Sequence, residues 1–204
     1  MRNVLFVLAS IWAMLLMAPG FAQSTELGSE IESVYSKLDL DGECKPYDLY
    51  EQGGSFFCPG YSGYGVLFAE GDLRQSVFYG FVGEWFAEGA FESFSGFNYV
   101  SGTIEWRLKG GVPFATIMRW FISSGDGDGT NDGQVLVVSK VAQPGIGDGC
   151  VVGYVDALEN ADANVMAREI ADELASDFMC RIEDPVFHGK EGLAAGFPVR
   201  TFGP

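Results

Sequence analysis

The stretch "SSGDGDGTND", residues 123–132, sets Asp126, Asp128 and Asp132 among glycines, beside Thr130 and Asn131. Closely spaced carboxylates in a loop are the oxygen ligands that calcium takes in extracellular modules. An EF-hand loop requires Gly at its sixth place and a bidentate Glu at its twelfth. Counted from Asp128, Gly133 takes the sixth place but Ser139 the twelfth; counted from Asp126, the sixth is Asn131. Neither register works. The stretch reads as a long acidic hairpin connection, rich in residues that tolerate positive φ. Asp126, Asp128 and Asp132 stand as a weak calcium candidate, with an expected affinity on the order of 10⁻⁴–10⁻³ M.

A second set of carboxylates lies in "GEWFAEGAFESFSGF", where Glu84, Glu88 and Glu92 recur every four residues among Trp85, Phe86, Phe91, Phe94 and Phe97. On a helix they would share a face, as the acid and base of a glycan hydrolase must stand near each other. Gly89, Ser93 and Ser95 argue instead for irregular structure, with a solvated acidic side and buried aromatics. A third set is Glu105, Arg107 and Arg119. Glu105 and Arg107 are two apart, so on a strand they face the same side of the sheet. They suit an ion-pair ladder, or a patch that docks a partner's acidic group. Trp106 and Trp120, beside them, read as core.

Nucleophilic catalysis finds little to work with. His188 is the sole histidine, and no G-x-S-x-G surrounds a serine; Ser62 has Tyr61 and Gly63 as neighbours. Neither a phosphate-binding P-loop nor a G-x-G-x-x-G between strand and helix is present. No cofactor is expected, and the reading leans away from an enzyme.

Four cysteines remain, Cys44, Cys58, Cys150 and Cys180. They have no C-x-x-C spacing for redox work and no paired short spacing for zinc. An even number in an oxidising compartment reads as two disulfides. Three pairings are open. Cys44–Cys58 and Cys150–Cys180 are preferred because each is local: a Gly-Gly turn brings the ends of "CKPYDLYEQGGSFFC" together, and Cys180 closes a helix that follows the strand opened by Cys150.

The elements that position these residues follow from periodicity. "STELGSEIESVYSKL" puts Ile31, Val34, Tyr35 and Leu38 at i, i+3, i+4 and i+7, which predicts a short helix. From Phe56 to Ala157, short aromatic and β-branched runs alternate with glycine-bearing turns. "YGVLFAEG", "RQSVFYGFVG", "NYVSGTIEWRL", "PFATIMRWFIS", "QVLVVSKV" and "CVVGYVDAL" read as strands, with "KGGVP" as a hairpin turn. In "NADANVMAREIADELASDFMC", Met166, Ile170, Leu174 and Phe178 form an i, i+4 ridge, with Asn160 or Asp162 as cap. The fold class expected is α+β: a mostly antiparallel sheet of about six strands, a short N-terminal helix, and a C-terminal amphipathic helix packed on one face.

The ends and the charge bound the setting. Arg2, the apolar run Val4–Met17 and small residues at Gly20 and Ala22 make a secretory signal peptide, 1–22. The run is shorter than the roughly 20 residues that a bilayer span requires. Residues 23–184 read as one α+β domain and 185–204 as an irregular tail. Asp plus Glu number 28 against 12 Lys plus Arg, a net charge of −16. Nucleic acid is therefore an unfavourable partner, and no later segment is apolar enough to span a membrane.

"CPGYSGYGVLFAEGDLRQSVFYG", "GTIEWRLKGGVPFATIMRW" and "NADANVMAREIADELASDFMC" together resemble a group of small exported proteins of Gram-negative bacteria, alpha-proteobacteria in particular. The resemblance implies export to the periplasm and the four-cysteine pattern. It brings no activity, cofactor or catalytic residue. The expectation is a periplasmic or secreted protein that binds another envelope protein or a ligand without catalysis; a glycan-directed envelope hydrolase or a weak calcium module is the alternative.

Overall fold

Gly110 and Gly111, with φ of 59° and 80°, supply the positive dihedrals that a two-residue hairpin turn demands. They join the two longest strands, β7 (Asn98–Lys109) and β8 (Val112–Ile122), in antiparallel register from Lys109↔Val112 to Asn98↔Ile122. The computed structural model describes residues 30–83 and 89–202. Residues 1–22, where a signal peptide is expected, and Glu84 and Glu88 lie outside them.

Around this hairpin a six-stranded sheet is ordered β1-β7-β8-β9-β10-β11, with β1 Ile31–Lys37, β9 Gly133–Lys140, β10 Val151–Asp156 and β11 Val186–Phe187. A four-stranded sheet follows chain order: β2 Lys45–Tyr50, β3 Gly53–Cys58, β4 Val66–Gly71 and β5 Arg74–Tyr79. β6 (Phe91–Phe94) and β12 (Pro198–Thr201) form a third, two-stranded sheet. Among the described residues the longest helix, α1, spans Ala163–Leu174. Strands make up 48% of the described residues and helix 10%. The protein is mostly β, and the α+β expectation is corrected: among the described residues three sheets stand where one was foreseen, and a single long helix is not a helical layer.

The N-terminal helix is the plainest difference. Residues 31–37 are β1, antiparallel to β7 from Ile31↔Lys109 to Lys37↔Thr103. A seven-residue window carries both periods at once. Ser33 and Tyr35 face one side of the sheet while Val34 packs at the core on the other. The open edge of a twelve-residue strand decides between them, because pairing there satisfies a row of backbone groups.

The main core lies between the large and small sheets. Phe68, Val77 and Tyr79 from the small sheet meet Ile104, Trp106, Met118, Trp120, Val135 and Val137 from the large one. Trp106 is fully buried, with the Tyr79 ring edge-on at 5.7 Å. Both tryptophans are core, as their strand positions imply.

α1 covers the outer face of the large sheet, against β8, β9 and β10. Its buried side is Ala163, Ala167, Ile170 and Ala171, while Leu174 of the expected ridge is 38% exposed and Met166 half-buried. The stripe is turned toward the alanines because short side chains let the helix approach closely. Gly153 takes part in that fit: a Cβ there would stand 3.1 Å from the Ile170 methyl. Neither expected cap acts as one. Asp162 sits at the N-cap with no side-chain bond. Asn160 donates to the Asp156 and Lys190 carbonyls, each at 2.8 Å, and accepts the Lys190 N–H at 3.0 Å.

That clasp explains the tail. Residues 185–204, expected to be irregular, supply β11, parallel to β10, and β12, antiparallel to β6. The Asp156 carboxylate also accepts the Gly192 N–H at 2.9 Å.

Candidate functional site: the helix side of the large sheet

Glu105 and Arg107 do share a face of β7, the one that α1 covers. Each finds its opposite charge on the helix. Arg168 donates to Glu105 through Nε at 2.6 Å and Nη2 at 3.2 Å. Arg107 forks onto Asp172, with Nε to Oδ1 at 2.8 Å and Nη2 to Oδ2 at 2.5 Å. The Ser33 hydroxyl links the two pairs, donating to Glu105 at 2.5 Å and accepting from Arg107 Nη1 at 2.6 Å. Tyr35 Oη accepts from Arg168 at 3.2 Å.

Burial pushes the Glu105 carboxyl up, but hydrogen bonds from Arg168 and Ser33 and the charges of both arginines outweigh it, and its pKa lies below the ordinary value. The Glu105 hydrogen bond raises Arg168 in turn. Both charged strand residues therefore fasten a helix, where a strand-to-strand ladder was foreseen. Sequence reasoning passed over Ser33, Arg168 and Asp172. The signal existed: a strand places acid and base two apart, and a helix places base and acid four apart, so the charges match head to tail.

Arg119 is different. It lies on the same face, half-buried, opposite Leu136 of β9. Its Nη1 donates to the neutral amide of Gln134 at 3.0 Å. Among the described residues no carboxylate forms an ion pair with it. Two residues along β8, Phe121 stacks on Tyr99 with ring centroids 4.9 Å apart and planes at 15°. Tyr99 is 44% exposed. Between Val100 and Ile104, β7 loses its register with β8, so Ser101–Thr103 stand out of the ladder beside Arg119. The face past α1 thus offers one arginine fork next to an aromatic platform.

The other candidates among the described residues make contacts within the fold. Glu92 is buried, with Oε1 on Arg200 Nε at 2.9 Å and Oε2 on the Val151 N–H at 2.7 Å. Burial pushes its pKa up to about 7 against the pull of Arg200 and Val151. Asp132 is buried and turned into its own loop: Oδ1 accepts the Ser124 N–H at 2.9 Å, and Oδ2 meets Tyr99 Oη at 3.4 Å. Asp128 accepts the Thr130 N–H at 2.8 Å, and Asp126 accepts from Asn131 at 2.7 Å. No group of three or more His, Cys, Asp or Glu among the described residues could hold a metal ion. His188 packs over Gly153, its Nε2 buried without a hydrogen-bond partner among the described residues.

The disulfides are Cys44–Cys58 and Cys150–Cys180, and no described cysteine is free. Such bonds are typical of exported, non-cytoplasmic proteins. No helix among the described residues is long and apolar enough to cross a membrane. Comparison with known protein families, with curated proteins and with solved structures returned no match.

Proposed function

We propose that this is an exported periplasmic or secreted protein that binds another envelope polypeptide without catalysis, through the helix-side face of the large sheet beside α1. The observation that carries the reading is Arg119: half-buried, bonded to an amide, and flanked by the exposed stack of Tyr99 on Phe121. Arginine and tyrosine are the residue types that anchor protein interfaces, because each contributes contact area and directed hydrogen bonds together.

The test is partner capture from envelope extract with the leaderless, oxidised protein, repeated with two variants. Tyr99→Ser alters the proposed face. Leu49→Ser alters an exposed position on β2, in the other sheet. A partner retained by the parent protein and by Leu49→Ser, and lost with Tyr99→Ser, supports the reading. Capture of nothing specific, or of a partner indifferent to Tyr99, rejects it.

A further inference from the structure

Resting on that reading, we infer that the face recognises a single carboxylate, an Asp or Glu side chain within a partner polypeptide, with an apolar side chain next to it. The inference deepens the proposed docking by naming what docks.

The argument starts from how this protein treats its arginines. Arg74, Arg107, Arg168 and Arg200 each hold a carboxylate: Asp72, Asp172, Glu105 and Glu92. The chain carries 28 acids against 12 Lys plus Arg, so internal carboxylates are in excess. Among the described residues Arg119 nevertheless donates to Gln134 alone, with one of its two terminal nitrogens. A guanidinium has five donors in a rigid fork that matches a carboxylate bidentately, and such charge-assisted pairs are roughly twice as strong as neutral ones. Half-buried, Arg119 is partly stripped of water and not fully compensated. A carboxylate arriving from outside would complete it.

The neighbours set the rest of the partner's chemistry. Phe121 lies two residues from Arg119 on the same face of β8, directly opposite Gln134. Tyr99 continues the platform across the β7 pairing. An apolar or aromatic side chain adjacent to the carboxylate would lie on these rings while the carboxylate meets the fork. The surface is an open sheet face, which suits a chain segment passing over it. The net charge of −16 repels polyanions. The partner segment is therefore acidic at one residue and neutral or basic around it.

The test is an NMR titration of the oxidised ¹⁵N-labelled protein with the peptide acetyl-Lys-Phe-Asp-Lys-amide and with its Asn counterpart. The side-chain Nε–H of Arg119 and the backbone amides of Phe121 and Gln134 are followed. The expected result is saturable shifts with the Asp peptide and at least about tenfold weaker binding of the Asn peptide, as loss of a charge-assisted pair implies. Arg119→Gln should abolish the difference between the two peptides. Arg119→Lys, which keeps the charge and loses the fork, should fall between. Equal binding of both peptides, an Asp preference that survives Arg119→Gln in a variant with the parent's melting point, or no saturation by ~10 mM peptide overturns the inference. If partner capture still depends on Tyr99 when the peptide preference fails, carboxylate recognition falls and the docking face stands. If both fail, both readings fall.

Discussion

Glu92 of β6 and Arg200 of β12 form an ion pair that ties both ends of the Cys150–Cys180 disulfide to the C-terminal strand. Glu92 Oε2 accepts the N–H of Val151, next to Cys150, while Arg200 Nη2 donates to the carbonyl of Cys180 at 2.9 Å. The pair itself closes at 2.9 Å with Glu92 only 1% exposed. Arg200 also lies over the Phe202 ring, 4.6 Å from its centroid. One buried salt bridge thus joins the third sheet, the large sheet and the turn after α1.

Glu92 should make stability fall as pH rises. Its folded pKa, about 7, lies above the ordinary 4.5. A raised carboxyl contributes stability that is full below about 4.5 and lost as pH climbs through about 7. Relative to Glu92→Gln, the parent should lose ~2 kcal/mol between pH 5 and pH 8. Urea midpoints of both proteins at the two pH values measure this; a parallel dependence contradicts it.

Arg200→Ala should destabilise on the order of 3 kcal/mol at pH 8, because it leaves Glu92 buried without its counter-charge. The loss should shrink at pH 5, where Glu92 is protonated. Hydrogen exchange in β6 and β12 should accelerate with it. Unchanged exchange there would show that the pair does not hold the third sheet.

The latch under α1 runs the other way with pH. Glu105 titrates below its ordinary value of 4.5, so its contribution is present above about 4.5 and is lost as pH falls through the lower, folded value. Arg168→Ala should lower the melting temperature at pH 7 and narrow the gap to the parent below pH 4. A gap of constant size across that range would remove Glu105 as the cause.

The two disulfides should differ in reach. Cys44–Cys58 closes the β2–β3 hairpin, whose β2 residues are all exposed, whereas Cys150–Cys180 joins the start of β10 to the chain beyond α1. Each is worth about 3 kcal/mol in the loop-entropy model. Replacing Cys44 and Cys58 by Ser should speed exchange chiefly in β2 and β3. Replacing Cys150 and Cys180 should loosen α1 and β10 together. Identical exchange maps would refute the distinction.

Calcium should not move the melting midpoint, whereas Asp132→Ala should lower it. Asp132 is buried and caps the Ser124 N–H, so its loss leaves a donor unpaired at a cost of about 1–3 kcal/mol. A midpoint raised by calcium and lowered by chelator would restore the aspartate loop as a metal site.

Local chemistry carried much of this in the residues themselves. Gly110–Gly111 marks the central hairpin because a two-residue turn needs positive φ, and only glycine takes it without strain. Alternating runs mark β4, β5 and β7–β10, and the two local cysteine pairs are the ones formed. Long-range geometry decided the rest. Residues 31–37 fit both a helical and an extended period, and only the open edge of β7 selects the strand. Glu105 and Arg107 are visible as a same-face pair, but that they fasten α1, leaving Arg119 with an amide, follows from where residues 168 and 172 arrive, more than 60 positions along the chain. Periodicity reports which side a residue faces. What stands opposite it depends on contacts between distant segments, which no local pattern encodes.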